Sequence, residues 1–264
     1  MIFKAILTSV ACCFASAVFA NPLPNAALSA DVVILGEVHD NAEHHQIQAQ
    51  ALLQVGPSAV VFEMLEPAQA AAVADADRSD WAAFDQEIGW TASGWPDFSI
   101  YQPIFEALGD TPVFGATAPR ADVRAAFKTN AAEIFGPQAG AFGLDLTLPS
   151  EQVEIRKELQ FDAHCQAMPR EMMGAMVEAQ RFLDAHFARV VLEALDADGA
   201  PVILITGHGH ARTDWGVPVA LQFARPDLAV YAVGITEGDT GIPFDHVIET
   251  APAEREDPCA VFKS

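Results

Sequence analysis

Short apolar runs recur along the chain, and stretches with helical spacing of apolar residues separate them. The runs lie at Asp31–Leu35, Ala59–Phe62, Pro112–Phe114, Pro201–Thr206 and Leu228–Gly234, and each has the length and composition of a buried strand. Five such strands alternating with helices predict an α/β fold. Its central sheet is expected to be mostly parallel and flanked by helices on both faces.

Two stretches depart from this alternation. Residues 149–195 carry a long helical pattern with no strand in it, so we expect a helical cap over the carboxyl edge of the strands. Trp81, Trp90 and Trp95 fall within fifteen residues, which indicates a lid or a small packed subregion. We therefore assign residues 21–264 to a single domain with an added cap.

The helix after the first strand has a recognisable start. Apolar residues from Asn41 to Val55 follow helical spacing. Asp40 and Glu43, three residues apart, fit a capping box at its amino end.

The first twenty residues have the composition of a signal peptide. Lys4 supplies the positive charge, Ala5–Val18 is an apolar run too short to span a bilayer, and Val18-Phe-Ala20 fits a cleavage site. We therefore expect export and a periplasmic location. Cys12 and Cys13 leave a lipoprotein as the alternative, so membrane contact is expected only if one of them is lipidated.

The amino-acid composition limits the kinds of partner that the protein is expected to bind. The 264 residues are 51% apolar and carry a formal net charge of −22, which is typical of a globular, acidic protein. A field of this sign repels nucleic acid and anionic lipid, so we expect neither as a partner. Cys165 and Cys259 remain after the signal segment, and in an oxidising compartment an even pair predicts a disulfide.

Chemically capable side chains follow three of the predicted strands. Glu37 and His39 come after the first strand, Glu63 after the second, and His208 and His210 after the fourth. Because parallel strands end at one edge of the sheet, these side chains should meet there. All five have the chemistry of a divalent metal site. Glu37, His39, Glu63 and His210 also suit acid–base catalysis, although each residue alone could simply be a hydrogen-bonded polar group.

Other residues suit a flat apolar ligand. Met172 and Met176 belong to a methionine-rich stretch that offers either soft sulfur ligands or a flexible apolar wall. Tyr101 could ligate haem iron as a phenolate, or it could pack with its hydroxyl hydrogen-bonded. Arg212 could meet a carboxylate or a propionate.

Several of these motifs together resemble a known family. The motifs are Leu35-Gly-Glu-Val-His-Asp-Asn41 followed by His44-His45, Phe62-Glu-Met64, Trp95 to Pro103, His164 to Gln180, and Gly207-His-Gly-His-Ala-Arg212 followed by Gly216-Val-Pro218. The chain is similar to the ChaN-like family of bacterial iron-regulated, haem-binding proteins and lipoproteins. This family lies in a wider superfamily with the Tiki metalloproteases and the erythromycin-esterase-like hydrolases. The family usually has Gly-Asn-Gly-His at the last motif, so His210 matches the family histidine and His208 departs from the pattern.

The resemblance implies haem binding in an apolar cleft at the carboxyl edge, in the service of iron acquisition, with a homodimer as one arrangement. Tyr101 or a cleft histidine such as His210 would be the axial ligand, Met172 and Met176 would form a wall, and Arg212 would meet a propionate. The wider superfamily implies an alternative, a metal-dependent or acid–base esterase or peptidase that uses the Glu and His residues. A binding domain without chemistry is a third option.

Overall fold

The computed structural model describes residues 23–257 and 259–260. The predicted signal peptide, with Cys12 and Cys13, lies outside these residues. Among the described residues, no helix has both the length and the apolar character needed to cross a membrane.

The centre of the fold is a six-stranded sheet in which every neighbouring pair of strands is parallel, with the order β3-β2-β4-β1-β5-β6. The strands are β1 (Val32–Glu37), β2 (Ala59–Phe62), β3 (Val113–Gly115), β4 (Val202–Gly207), β5 (Val230–Thr236) and β6 (His246–Glu249). The predicted α/β class and parallel sheet are confirmed. The strand β6 was not predicted.

Twelve α-helices surround the sheet in the described residues. They are α1 (Asn25–Leu28), α2 (Ala42–Val55), α3 (Pro67–Asp75), α4 (Trp81–Ile88), α5 (Trp90–Ser93), α6 (Phe98–Ala107), α7 (Arg120–Lys128), α8 (Ala131–Phe135), α9 (Ser150–Ala163), α10 (Met173–Asp198), α11 (His208–Ala211) and α12 (Val217–Ala224). Two short 3₁₀ helices, Gly136–Phe142 and Arg170–Met172, join them.

Successive residues of the central strands face opposite sides of the sheet, so the fold has two apolar cores. Val33 and Leu35 pack with Phe62 and the aromatic residues of α4 to α6 on one side. Val32 and Ile34 pack with α7, α10 and α12 on the other. All six residues of β1 are buried, as the continuous apolar run of a central parallel strand requires.

One helix start differs from the prediction. Asn41, not Asp40, caps α2, and its side chain accepts a hydrogen bond from the backbone N–H of Glu43. Asp40 is turned away and pairs with Arg255 at 2.7 Å. The helix α6 begins at Phe98, where Asp97 caps it, and Pro103 lies inside the helix.

Residues 149–195, the predicted cap, lie partly at the carboxyl edge of the sheet and partly in the second core. The helix α9 and the first turns of α10 approach the carboxyl end of β4, where they help to line a cavity with His208. Much of the rest of α10 is buried in the second core, where Ala188, Val191 and Ala194 pack with the strands. The same helix therefore belongs to both the cap and the sheet covering.

The C-terminal segment crosses the carboxyl edge. After β6, Arg255 forms ion pairs with Asp40 and Glu237, and Asn41 donates a hydrogen bond to the carbonyl oxygen of Ala251. A disulfide then joins Cys259 to Cys165, just beyond the end of α9, which confirms the predicted pairing.

Candidate functional site

Strand register brings the ends of β1, β2 and β4 together. Glu37 lies opposite Gly207 in the β1–β4 pair, and Phe62 lies opposite Ile205, so Glu63 comes beside Thr206. The approach is close: a Cβ on Gly207 would lie 2.9 Å from Nε2 of His39 and 3.8 Å from a carboxylate oxygen of Glu63. A side chain at this position would push the His39 ring from its place, whereas glycine allows this close approach.

Glu37 is the centre of a buried hydrogen-bond group. Its Oε1 accepts a hydrogen bond from the Tyr101 hydroxyl at 2.6 Å and lies 2.8 Å from Nδ1 of His39. Its Oε2 lies 3.1 Å from Nδ1 of His45. The His45 ring also stacks on Tyr101 with centroids 3.7 Å apart. Glu37 is therefore a buried carboxylate surrounded by three polar partners.

Electrostatics hold this group in one charge state. Burial alone would raise the pKa of Glu37, but the charges and hydrogen bonds of His45 and His39 outweigh burial and lower it. Burial would lower the pKa of both histidines, but Glu37 outweighs it and raises both. The carboxylate form of Glu37 and the imidazolium forms of His39 and His45 therefore stabilise one another.

Glu63 and His210 form a second group beside the first. Oε2 of Glu63 accepts hydrogen bonds from the Thr206 hydroxyl at 2.6 Å and from the Gly207 N–H at 2.7 Å. Nδ1 of His210 lies 2.7 Å from Oδ1 of the buried Asp184, and its Nε2 lies 3.8 Å from Oε1 of Glu63. His210 is thus held between two carboxylates.

The same balance applies to this second group. Burial would lower the pKa of His210, but the charge of Glu63 and the hydrogen bond to Asp184 raise it. Burial raises the pKa of Asp184, and His210 offsets only part of this effect. Together the two groups form what we call the polar cluster, which comprises Glu37, His39, His45, Glu63, Tyr101, Asp184 and His210.

The polar cluster brings together Glu37, His39, Glu63 and His210, which the sequence predicted to meet. Their donors and acceptors are directed at one another rather than at a common empty point. Across residues 23–257 and 259–260, no three or more His, Cys, Asp or Glu side chains are arranged to hold a metal ion. The prediction of a divalent metal site therefore finds no support in the geometry.

Tyr101 occupies a different place from the one a haem ligand needs. Its ring is fully buried between Trp90 and His45, and its hydroxyl donates to Glu37. Burial, and then the charge of Glu37, raise its pKa, so the phenolate is strongly disfavoured. The alternative of a packed tyrosine with a hydrogen-bonded hydroxyl describes it correctly.

A cavity of about 220 Å³ lies next to the polar cluster, at the carboxyl end of β4. We call it the His208 cavity. Its walls combine apolar and polar side chains: Leu159, Ala163, Val177, Trp215 and Ile242 with Arg156, Gln160, Gln180, His208, Gly209 and Arg212. His208 is half-buried, and no hydrogen bond involves its ring within the described residues.

Two arginines line this cavity, and they differ in how far their guanidinium groups are already hydrogen-bonded. Arg212 already binds Asp214 through two hydrogen bonds, at 2.5 and 2.8 Å, and its guanidinium lies 3.5 Å from the Trp215 ring centroid. Arg156 donates to Gln152, but its buried Nε has no partner. Burial lowers the pKa of Arg156 to about 10, so it keeps its charge at neutral pH.

The predicted methionines stand apart from this cavity. Met172 and Met176 are half-buried and do not line it, whereas Val177 does. Sequence reasoning also missed Asp184 and Arg156, which lie inside long helices with no motif to mark them. His45 was part of the His44-His45 motif, but no role was assigned to it from the sequence.

Comparison with known proteins shows the family to which the chain belongs. Residues 23–221 match a family model described as haem-binding uptake, Tiki superfamily, ChaN. Among curated proteins, a search with the whole sequence finds no match.

Solved structures include one close in shape. "Cofacial heme binding to ChaN of Campylobacter jejuni" superposes with a TM-score of 0.63 at 19% identity, covering 80% of this chain and 84% of that one. At this identity the likeness shows the fold alone. A mutant erythromycin esterase, EreC, gives a TM-score of 0.45 at 13% identity over 79% of this chain and 71% of that one, which is too low to support an argument.

Proposed function

Because the chain belongs to the ChaN family of haem-binding uptake proteins in the Tiki superfamily, we propose that it binds haem as a periplasmic protein of iron acquisition. The haem lies in the His208 cavity, at the carboxyl edge of the sheet. The observation that carries this site is the pairing, in one opening, of apolar walls, an imidazole without a hydrogen-bond partner, and a buried arginine with an unpartnered Nε.

The cavity walls fit the chemistry of haem. A macrocycle is flat and apolar with two carboxylates at one edge, and Leu159, Val177 and Trp215 offer apolar contact. Arg156 is a better partner for a propionate than Arg212, because Asp214 already occupies the guanidinium of Arg212. When bound, haem supplies its iron as the centre that an axial side chain can ligate.

The size of the cavity implies partial enclosure. Its volume of about 220 Å³ is below the ~300–1,000 Å³ of sites that bury most of the surface of a drug-sized ligand. One face of the macrocycle would therefore stay open. A second copy of the chain could cover that face, which agrees with the cofacial haem named for the Campylobacter jejuni relative. Sedimentation of the protein with and without haem tests this dimer: a shift from one to two chains per particle supports it.

The hydrolase alternative has less support. A general base must be unprotonated, yet the pKa values of His39 and His210 are raised, because Glu37 in one case and Glu63 with Asp184 in the other outweigh burial. Glu37 is fully buried and hydrogen-bonded, so it is poorly placed to meet a substrate.

The periplasmic location is supported by two features. The signal segment of residues 1–20 predicts export. The Cys165–Cys259 disulfide suits an oxidising compartment. Cell fractionation, with N-terminal sequencing of the mature protein, tests this: a chain that begins at Asn21 in the periplasmic fraction supports export, and an uncleaved chain in the cytoplasm contradicts it.

Haem titration tests the function itself. Haemin added to the mature chain should give a Soret band that saturates at one haem per chain. Ala163→Trp should fill the cavity and abolish saturation, because Ala163 is exposed and lines the opening. Ala83→Trp, at an exposed position of α4, is the matched control and should bind normally. No band shift for the wild type at equimolar haemin would overturn the proposal.

A further inference from the structure

The histidines at the carboxyl edge differ in how their ring nitrogens are used. His210 is held by Asp184 and faces Glu63, and both nitrogens of His45 lie within hydrogen-bond distance of neighbouring oxygens. His44 accepts a hydrogen bond from the Val38 N–H and lies 2.8 Å from the Thr250 hydroxyl. Each of these rings is committed to the fold.

His208 has no such commitment. Within the described residues, neither ring nitrogen forms a hydrogen bond, and its Nδ1 is a buried polar atom without a partner. Buried polar atoms are nearly always satisfied in a folded protein, so an unpartnered ring in the wall of a cavity marks a place for a ligand. The same ring lines the His208 cavity.

We infer that His208 supplies the imidazole that ligates the haem iron, an inference that rests on the proposed function. An iron ligand needs a free nitrogen lone pair, access to the cavity and a fixed ring position. His208 meets the first two conditions through its unpartnered ring and its place in the cavity wall.

The backbone provides the third condition. His208 begins α11, directly after β4, and this short helix packs tightly on β1. A Cβ on Gly36 would lie 2.9 Å from the Cα of His208 and 2.5 Å from the Cβ of Ala211, so the two segments are in backbone contact. The position of residue 208 is therefore set by the sheet rather than by its own side chain.

His39 is the strongest rival for this role, because its Nε2 also forms no hydrogen bond within the described part of the chain. However, Nδ1 of His39 lies 2.8 Å from the Glu37 carboxylate, and His39 does not line the cavity.

Spectroscopy of the haem-loaded full chain tests the ligand. The wild type, His208→Asn, His208→Ala, His39→Asn and the control His246→Asn are loaded with haemin, and ferric electron paramagnetic resonance and absorption spectra are recorded. His246 lies on β6 and does not line the cavity. Thermal unfolding midpoints of the apo-proteins check that each variant is folded.

We expect a histidine-ligated signature in the wild type and in His246→Asn. Both His208 variants should lose it, with at least a tenfold weaker haem affinity, and added imidazole should restore it in His208→Ala. Haemin should also protect His208 of the wild type from diethylpyrocarbonate, as read by peptide mass spectrometry.

Two outcomes would overturn the inference alone. One is a wild-type spectrum retained in both His208 variants; the other is loss of the signature in His39→Asn and not in His208→Asn. Absence of any Soret band in the wild type is a different result, because it would overturn the proposed function as well.

Discussion

The polar cluster and the His208 cavity lie side by side at the same edge of the sheet, yet their side chains are partnered to different degrees. Oε2 of Glu37 and Oδ2 of Asp184 form no hydrogen bond with any described residue, but each of these carboxylates is held through its other oxygen. In the polar cluster, Glu37 and His210 each meet two or more polar partners at hydrogen-bond or ion-pair distance. In the cavity, His208 has no partner and Arg156 has an unpartnered Nε.

The difference separates residues that hold the fold from residues that can hold a ligand. A satisfied buried charge is costly to remove, whereas an unsatisfied side chain contributes little to folding and is available for binding. Glu37 and His39, which belong to the family-like motif Gly36-Glu-Val-His39, fall in the first class in this structure. The residues that are available for a ligand, His208 and Arg156, lie outside this motif.

Removal of Glu37 should have the largest effect. Glu37→Ala leaves His39 and His45 without their shared carboxylate, and breaking a buried pair in this way costs about 3–5 kcal/mol in the free energy of unfolding. Urea denaturation measures it. Glu43→Ala, at an exposed position of α2, is the control, with an expected change of about 0.5 kcal/mol or less. Equal losses in the free energy of unfolding of the two variants would show that Glu37 does not hold the fold together.

Loss of the disulfide should rank next. Cys165 and Cys259 are 94 residues apart in sequence, and a crosslink of this kind typically adds about 2–4 kcal/mol. Cys165→Ser should lower the free energy of unfolding by that amount. It should also weaken haem binding, because Cys165 anchors the end of α9, which lines the cavity. If reductant leaves the free energy of unfolding of the wild type unchanged, the disulfide does not contribute to the stability of the fold.

The pH dependence of the Glu37 group should give a smaller effect. The raised pKa values of His39 and His45 contribute stability that is full below their usual 6.5 and is lost as pH rises through the raised values. The lowered pKa of Glu37 contributes stability that is present above 4.5 and is lost at lower pH. The stability difference between wild type and Glu37→Gln should therefore be greatest between about pH 4.5 and 6.5 and shrink by about 1–2 kcal/mol above it.

Unfolding at a series of pH values measures that difference. The pKa values of His44 and His208 are lowered by burial and contribute with the opposite sign, but both proteins contain them and they largely cancel. A difference that keeps growing up to pH 9 would contradict the assigned charge states.

The smallest effect is expected at Arg156. Arg156→Gln should weaken haem binding several-fold, about 1 kcal/mol, because a propionate loses a cationic partner. Lys157→Gln is the neighbouring control, since Lys157 pairs with Glu154 and does not line the cavity. Haemin titration compares the two. Equal haem affinities in the two variants would show that Arg156 does not take part in haem binding.

The family and the fold class could both be predicted from the sequence, and both are confirmed. The buried strands were readable because central parallel strands are continuous apolar runs. The strand β6 was not readable: His246–Glu249 is short, with polar residues at both ends and exposed side chains at alternate positions, and it is defined by its pairing with β5. Edge strands of this kind depend on tertiary contacts.

The candidate site was predictable in part. Parallel topology correctly gathered Glu37 and Glu63, because both follow strands directly. Asp184 and Arg156 were missed, since each lies in the middle of a helix and reaches the site only through helix packing. The roles proposed for Met172 and Tyr101 came from side-chain chemistry alone, which says nothing of burial.

The tight contact between Gly36 and the start of α11 has a practical consequence. Because backbone atoms fix where residue 208 stands, different side chains at that position would all start from the same Cα. On our inference that residue 208 ligates the iron, cysteine, methionine, lysine or tyrosine there would present a graded set of ligands, and the reduction potential of the bound haem would change with each of them.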